Sequence, residues 1–338
     1  MSSSPNICGI CNTEDYHPIY VGYEMMFGTR EEFEYFQCTS CGCLQIRHIP
    51  NDLGRFYPPN YYSLSISRDK KRSKLFDYLI KQRFRNALFN QGYKLNKIIS
   101  KFIEMPYLCV DQVLLVTTIL KQAEIKDFDA KFLDIGCGSW STWLESLRIM
   151  GFHNLYGADP FIKSDLNEHG IIIYKKEISD IEGKFDLITM HHSLEHIPNQ
   201  RNALISASNL LAPDGVILVR IPIVSSYVWE QYGTNWVEMD APRHLYLHSR
   251  ESIELLGKQV GLELYKYIPD SLDLEFYGSE QYSRNIPLTA PNSYWLNFDN
   301  QIFTPEEIDN FKNMAKRVNK ENKAGRACFF FKKKNKTN

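Results

Sequence analysis

From Lys131 onward the chain repeats a pattern that few architectures satisfy. The runs "KFLDI", "NLYGAD", "GIIIYKK", "KFDLITM" and "DGVILVRIP" are short and apolar, and "STWLESLRIMG" and "NQRNALISASNLLAP" between them have helical character. Strands that are apolar on both sides need cover on both faces, which predicts an α/β fold with a mainly parallel sheet between helices. Two closing strands are expected at "GLELYKYIPD" and "GRACFFFKKK", with Gly261 and Gly325 each supplying the turn before them. Such sheets bind ligands at the carboxyl ends of their strands.

Five of the eight cysteines fall in the first 43 residues, as Cys8-x2-Cys11, then Cys38-x2-Cys41 and Cys43. Two such knuckles suit one tetrahedral ion, and a disulfide framework is the competing reading. Met1 is followed by neither a basic nor an apolar stretch, so no secretory signal is read and a cytoplasmic chain with reduced thiols is expected. Zinc held by Cys8, Cys11, Cys38 and Cys41 is therefore predicted, as a structural ion, with Cys43 as a spare thiol. The aromatic and β-branched stretches "YHPIYVGYE" and "FEYFQCTSCGCLQIRHI" read as short strands around the knuckles, giving a zinc ribbon over residues 1–50. Gly42 and Asn12, each one residue past a knuckle, are expected in left-handed turns that aim backbone amides at sulfur.

With 338 residues, 43% of them hydrophobic, the chain can bury one full core and a small satellite domain. A net charge of −1 argues against a general nucleic-acid binder. Arg68 to Lys101 nevertheless carries eleven Lys/Arg against Asp69 and Asp77. Residues 51–109 thus read as a connecting basic helical segment, a candidate for peripheral membrane contact, with Phe76, Ile80, Phe84 and Leu88 on its apolar face and a break at Gly92. A further helix is expected from Val110 to Ala123. No apolar run approaches the ~18 residues that span a bilayer.

The stretch "FLDIGCGSW" sets Asp134 near a strand end, with Gly136 and Gly138 in the turn that opens a helix. A dinucleotide loop would want a third glycine, and an acidic residue before the turn would repel a pyrophosphate. The order suits a ligand with a positive charge. Asp159, ending "YGAD", offers two acceptor oxygens to a ribose diol.

Together, "LDIGCG", "YGADP", "KFDLITMHHSLEHIPN" and "LLAPDGVILVRIP", in this order and spacing, resemble the class I S-adenosylmethionine-dependent methyltransferases over about residues 110–332. The resemblance implies a Rossmann-like sheet with S-adenosylmethionine as cofactor. It further implies Gly136 and Gly138 under the methionine part, Asp134 facing its amino group and Asp159 on the ribose hydroxyls. Glu177 or Ile178 would lie by the adenine, and Met190 or His191 beside the methionine moiety. Trp140 stands where the family often has another glycine.

The candidates for handling the acceptor are His192, Glu195 and His196 after the fourth strand and His244 after the fifth; each has a structural alternative, bracing a turn or capping backbone. His192 or His244, rather than His196, is expected nearest the reacting centre. His192-x-x-Glu195-His196 also matches a zinc-peptidase string, and resembles the E-x-x-E-H ion site of some quinone-pathway O-methyltransferases with His in place of the first Glu. Arg243 could grip a phosphate or carboxylate of the acceptor. An insertion over about residues 222–300, including Tyr282 in the irregular "DLEFYGSEQYSRNIPL", is expected to shape the acceptor pocket. Ribbon, helices and catalytic domain together resemble bacterial sugar and surface-polysaccharide methyltransferases. This implies a small-molecule or lipid-linked sugar acceptor, with O- against C-methylation left open. An RNA methyltransferase and a catalytically inactive scaffold are the alternatives.

Overall fold

A computed structural model describes residues 5–58, 74–91 and 110–334. The expected break at Gly92 and most of the basic connecting segment lie outside them. The chain divides into two compact units, one of Met1–Pro58, His192–Arg201 and Val219–Phe329, the other of Pro59–His191, Asn202–Leu218 and Phe330–Asn338.

The first unit begins with the hairpin β1 (Asn6–Ile7) and β2 (Glu14–Asp15), then β3 (Ile19–Tyr23), β4 (Glu32–Gln37) and β5 (Leu44–Ile46). Each pair of cysteines sits in the tight connection between two strands. The two connections are built alike: Asn12 N–H donates to Cys8 O and Gly42 N–H to Cys38 O, both at 2.9 Å. The reversal places Asn12 at φ 63° and Gly42 at φ 72°, the left-handed conformation expected at both.

The second unit opens with α1 (Lys74–Phe89) and α2 (Val110–Gln122). In α1, Ile80 and Phe84 are buried as the apolar spacing requires, but Leu75, five residues before Ile80, is largely exposed. The sheet follows as β6 (Lys131–Ile135), α3 (Thr142–Met150), β7 (Asn154–Ala158), β8 (Leu166–Glu168), β9 (Ile171–Tyr174), β10 (Phe185–His191), α4 (Gln200–Leu210) and β11 (Leu211–Pro222). β6 pairs parallel with both β7 and β10, and β7 parallel with β9. Ile135, Leu133 and Phe132 of β6 and Leu187, Ile188 and Met190 of β10 are buried, as central strands covered on both faces must be. β8 is an antiparallel edge strand on β9 that the hydrophobic pattern did not announce, since Leu166 is its only apolar residue. Ser141 caps α3, accepting from Leu144 N–H at 3.0 Å, and Gly151 ends it in a left-handed C-cap.

After β11 come α5 (Tyr227–Tyr232), β12 (Tyr246–Leu247), α6 (Arg250–Gln259), β13 (Leu262–Pro269), α7 (Leu274–Ser283), α8 (Pro305–Lys320) and β14 (Arg326–Lys333). The second unit's sheet has the order β11-β10-β6-β7-β9-β8, and the first unit's four-stranded sheet runs β12-β5-β4-β3. Both expected closing strands are present. The irregular stretch around Tyr282 is helix α7, in which Glu275, Phe276, Tyr277, Gly278, Ser279, Gln281 and Tyr282 are all buried. A helix buried all round shows no apolar stripe, so its period is not readable from sequence.

β12 belongs to the cysteine-bearing sheet although it lies some two hundred residues further on. Tyr246 and Leu247 pair antiparallel with Gln45 and Leu44. Tyr35 donates its hydroxyl to His244 O at 2.9 Å and Ser249 Oγ donates to Cys41 O at 2.6 Å. The N-terminal strands therefore brace the segment from Asp240 to Ser249.

Candidate active site

In the second unit the loop after β6 and the end of β7 are tied together. β6 lies between β7 and β10, the point at which the strand order reverses, and sheets of this kind bind ligands there, at the carboxyl ends of their strands. Gly136 (φ 70°) and Gly138 (φ 65°) carry the chain through conformations a side chain would strain. Gly136 N–H donates to Ala158 O at 2.8 Å, and Gly138 N–H donates to Asp159 Oδ2 at 2.9 Å. The other Asp159 oxygen accepts from Phe161 N–H at 2.8 Å. Gly157 allows the loop to lie this close, because a Cβ there would meet Cys137 Sγ at 2.6 Å.

Asp134 is buried beneath this loop. Ser141 Oγ donates to its Oδ2 and Thr189 Oγ1 to its Oδ1, each at 2.7 Å. Burial pushes the Asp134 carboxyl up to about 6 against the pull of these two hydroxyls, with the charge of Asp159 adding to the rise. One carboxylate thus fixes the cap of α3 and keeps one further lone pair on each oxygen. Met190 is fully buried, and the His191 ring packs on Trp143 with centroids 4.9 Å apart. Glu177 is exposed and Ile178 half-buried where the chain leaves β9.

In the first unit the four sulfurs of Cys8, Cys11, Cys38 and Cys41 lie within 4.8 Å of one another. Cys8 and Cys41 are 3.6 Å apart and Cys11 and Cys38 3.5 Å, too long for disulfides and close to the ~3.8 Å edge of a zinc–thiolate tetrahedron. Ile10 N–H and Gln45 Nε2 donate to Cys8 Sγ, and Cys41 N–H donates to Cys38 Sγ, as anionic sulfurs require. The Cys41 thiol donating to Cys8 holds that sulfur down at about 4. The donor set fits zinc. Cys43 is buried apart from the four, with its thiol toward Leu44 O.

A second cluster follows β10 in the chain, wholly within the first unit. Glu195 and His196 lie on a single 3-10 turn, Leu194–His196, and His244 comes from the segment before β12. These three offer donor atoms within 4.8 Å of one another. His192 stands just before, at φ 50°, with Nδ1 3.5 Å from Glu195 Oε1. Because Leu194–His196 is a 3-10 turn and not an α-helix, His192, Glu195 and His196 do not share the face of an α-helix. Glu195 is 0% exposed, neither carboxylate oxygen accepts a hydrogen bond among the described residues, and burial holds its carboxyl well above the usual range.

His196 Nδ1 lies 2.8 Å from Arg243 O and 3.1 Å from the Tyr57 hydroxyl, and burial, with His244 beside it, keeps this ring neutral down to about 3. Arg243, expected to grip the acceptor, is fully buried. It donates to Asp240 at 2.6 Å and to Glu24 at 2.9 Å, and the Glu24 oxygens in turn accept from Phe27 and Thr29 N–H. Its fork ties the turn after β3 to the segment carrying His244, so it is not free for a ligand. Tyr282 is buried in α7 with its hydroxyl held well above the ordinary range, first by burial.

Residues 105–267 match the model of a family described as a methyltransferase domain. This segment is a methyltransferase domain. It holds the glycine loop, Asp134, Asp159 and the whole Glu195–His196–His244 cluster, and S-adenosylmethionine is the methyl donor of this enzyme class. No curated protein matches the sequence. Among solved structures, the protein is similar to a cyclopropane synthase from Mycobacterium tuberculosis at 14% identity, covering 77% of this chain and 94% of that one, TM-score 0.43. It is similar also to the O-methyltransferase of a multienzyme from Brevibacillus brevis bound to S-adenosyl-L-homocysteine, at 16% identity over 74% of this chain and 79% of that one, TM-score 0.37. A coclaurine N-methyltransferase bound to N-methylheliamine and S-adenosylhomocysteine is 14% identical over 78% of this chain and 88% of that one, TM-score 0.40.

Two of the methyltransferase domain's polar anchors were not foreseen from sequence. Ser141 and Thr189 clamp Asp134, and only Ser141 carried a signal, as a serine standing just before a helix. No described helix is long and apolar enough to cross a membrane.

Proposed function

We propose that the protein transfers a methyl group from S-adenosylmethionine to a carbohydrate or carbohydrate-linked acceptor, with a structural zinc in an N-terminal ribbon of residues 1–50. The observation that carries the donor half is the tie from Gly138 N–H to Asp159, which closes the glycine loop over the end of β7. In this reading Gly136 and Gly138 pass under the methionine part of the donor, Asp134 faces its ammonium, Asp159 takes the ribose hydroxyls, and Glu177 or Ile178 borders the adenine. Met190 and His191 border the methionine side. The sugar acceptor is supported by the pairing of a four-cysteine ribbon with a methyltransferase domain.

Transfer from a sulfonium is an in-line displacement, so the acceptor must sit about 3 Å from the methyl group and lose its proton. His192 is the general base of this proposal: its side chain is 24% exposed, against 6% for His244 and 0% for Glu195. Glu195 Oε1 lies 3.5 Å from the His192 Nδ1. His244 Nδ1 is held by Glu238 O at 2.7 Å, so its part is to fix the surroundings of Glu195.

Donor binding should depend on pH through Asp134. Its carboxylate is needed against the ammonium, and its pKa lies at about 6, so affinity is full above that value and falls as pH drops through it. Between pH 7.5 and pH 5 the Kd for S-adenosylmethionine should weaken roughly tenfold, and Asp134→Asn should weaken binding at pH 7.5 while removing this dependence. Calorimetric titration at the two values checks both.

Methyl-labelled S-adenosylmethionine, offered with a panel of nucleotide-linked and lipid-linked sugars and with total RNA, tests the acceptor. Label is expected in the sugar fraction. Label in RNA alone would overturn the acceptor half and leave the donor half standing.

A further inference from the structure

We propose that Glu195, His196 and His244 form a second metal site, separate from the four cysteines, for a divalent first-row transition ion. Their donor atoms lie within 4.8 Å of one another, inside one unit of the fold. Both histidines are prepared as ligands in the same way. His196 Nδ1 donates to Arg243 O at 2.8 Å and His244 Nδ1 donates to Glu238 O at 2.7 Å. A carbonyl only accepts, so each ring carries its proton on Nδ1 and keeps the Nε2 lone pair for something else. Carbonyl–imidazole–metal relays have this form.

The carboxylate is equally suggestive. Glu195 is 0% exposed and neither of its oxygens accepts a hydrogen bond among the described residues, which is costly unless a cation answers them. His244 Nε2 lies 3.9 Å from Glu195 Oε1, too far for a hydrogen bond, and the His196 and His244 ring centroids are 4.7 Å apart at 63°. Ligands at about 2.0–2.2 Å from one ion stand roughly 3–3.5 Å from each other, so closure by about an ångström completes the site. Asp240, 3.9 Å from His244 Nε2, adds negative potential while remaining tied to Arg243.

Two imidazoles and one carboxylate suit a first-row transition ion and leave coordination positions open. A hydroxyl or keto oxygen of a small molecule is the ligand such positions take. That use rests on the methyl-transfer reading; ion binding does not.

The test is a cobalt titration of chelator-stripped protein. Two equivalents are expected, one with the intense thiolate-to-cobalt charge transfer of the cysteine cluster and one with only the weak visible bands of nitrogen and oxygen ligation. Glu195→Gln, which keeps the shape, and His244→Gln should weaken the second equivalent by on the order of a hundredfold or more and leave the thiolate bands unchanged. A wild-type protein that takes up only the thiolate-bound ion overturns the proposal. So does either variant, folded, that still binds the second ion as the wild type does. Should both variants fail to fold, Tyr57→Phe removes a partner of His196 Nδ1 without emptying the core. It is expected to weaken the second equivalent by about tenfold, and unchanged binding overturns the proposal.

Discussion

Cys38→Ser is expected to leave the protein largely insoluble, and any soluble fraction short of one thiolate-bound zinc. The short strands around the knuckles bury too little to fold unaided, and binding a structural zinc contributes on the order of 10 kcal/mol to such a module. The damage should spread, because the same strands carry Leu44 and Gln45, which pair with β12, and Tyr35, which holds His244 O. Elemental analysis and thermal unfolding check this. A soluble variant with wild-type unfolding temperature and full zinc would show that Cys38 is not a ligand. A soluble, metal-free variant of wild-type stability would show that the ion is not structural.

His192→Ala should lower turnover by roughly 10²–10⁴-fold at saturating donor, the usual cost of removing a general base, with donor affinity unchanged. His196→Ala should act differently. Its ring props Tyr57 and Arg243 O, so its loss should show first as lower stability. The comparison is made by single-turnover kinetics together with unfolding curves. Turnover retained in His192→Ala but lost in a well-folded His196→Ala would reverse the two roles.

The parallel sheet could be read from the sequence because each of its central strands is a continuous apolar run bounded by polar or glycine-rich turns. The same holds for the two knuckles, where Gly42 and Asn12 stand at the positions that require a left-handed turn. Helix α7 could not be read, because a helix buried on every side has no polar face to mark its period. The pairing of β12 with β5 was equally hidden, since a two-residue strand carries no alternation and its partner lies two hundred residues away. For the same reason the sequence paired Glu195 and His196 with their neighbour His192, and only the fold brought His244 to them. Arg243 shows the converse: a lone arginine beside a candidate site reads as a ligand clamp until Glu24, distant in sequence, is seen to pair with it.

The central claim is that the loop from Asp134 to Gly138, with Asp159, holds S-adenosylmethionine. Calorimetric titration of the wild type and of Asp159→Ala with S-adenosylmethionine tests it most directly. One site per chain is predicted for the wild type, with affinity weakened in the variant by about 1–3 kcal/mol, the range for hydroxyls that lose a charged acceptor. No binding to the wild type, or equal affinity in a folded Asp159→Ala, would contradict the account.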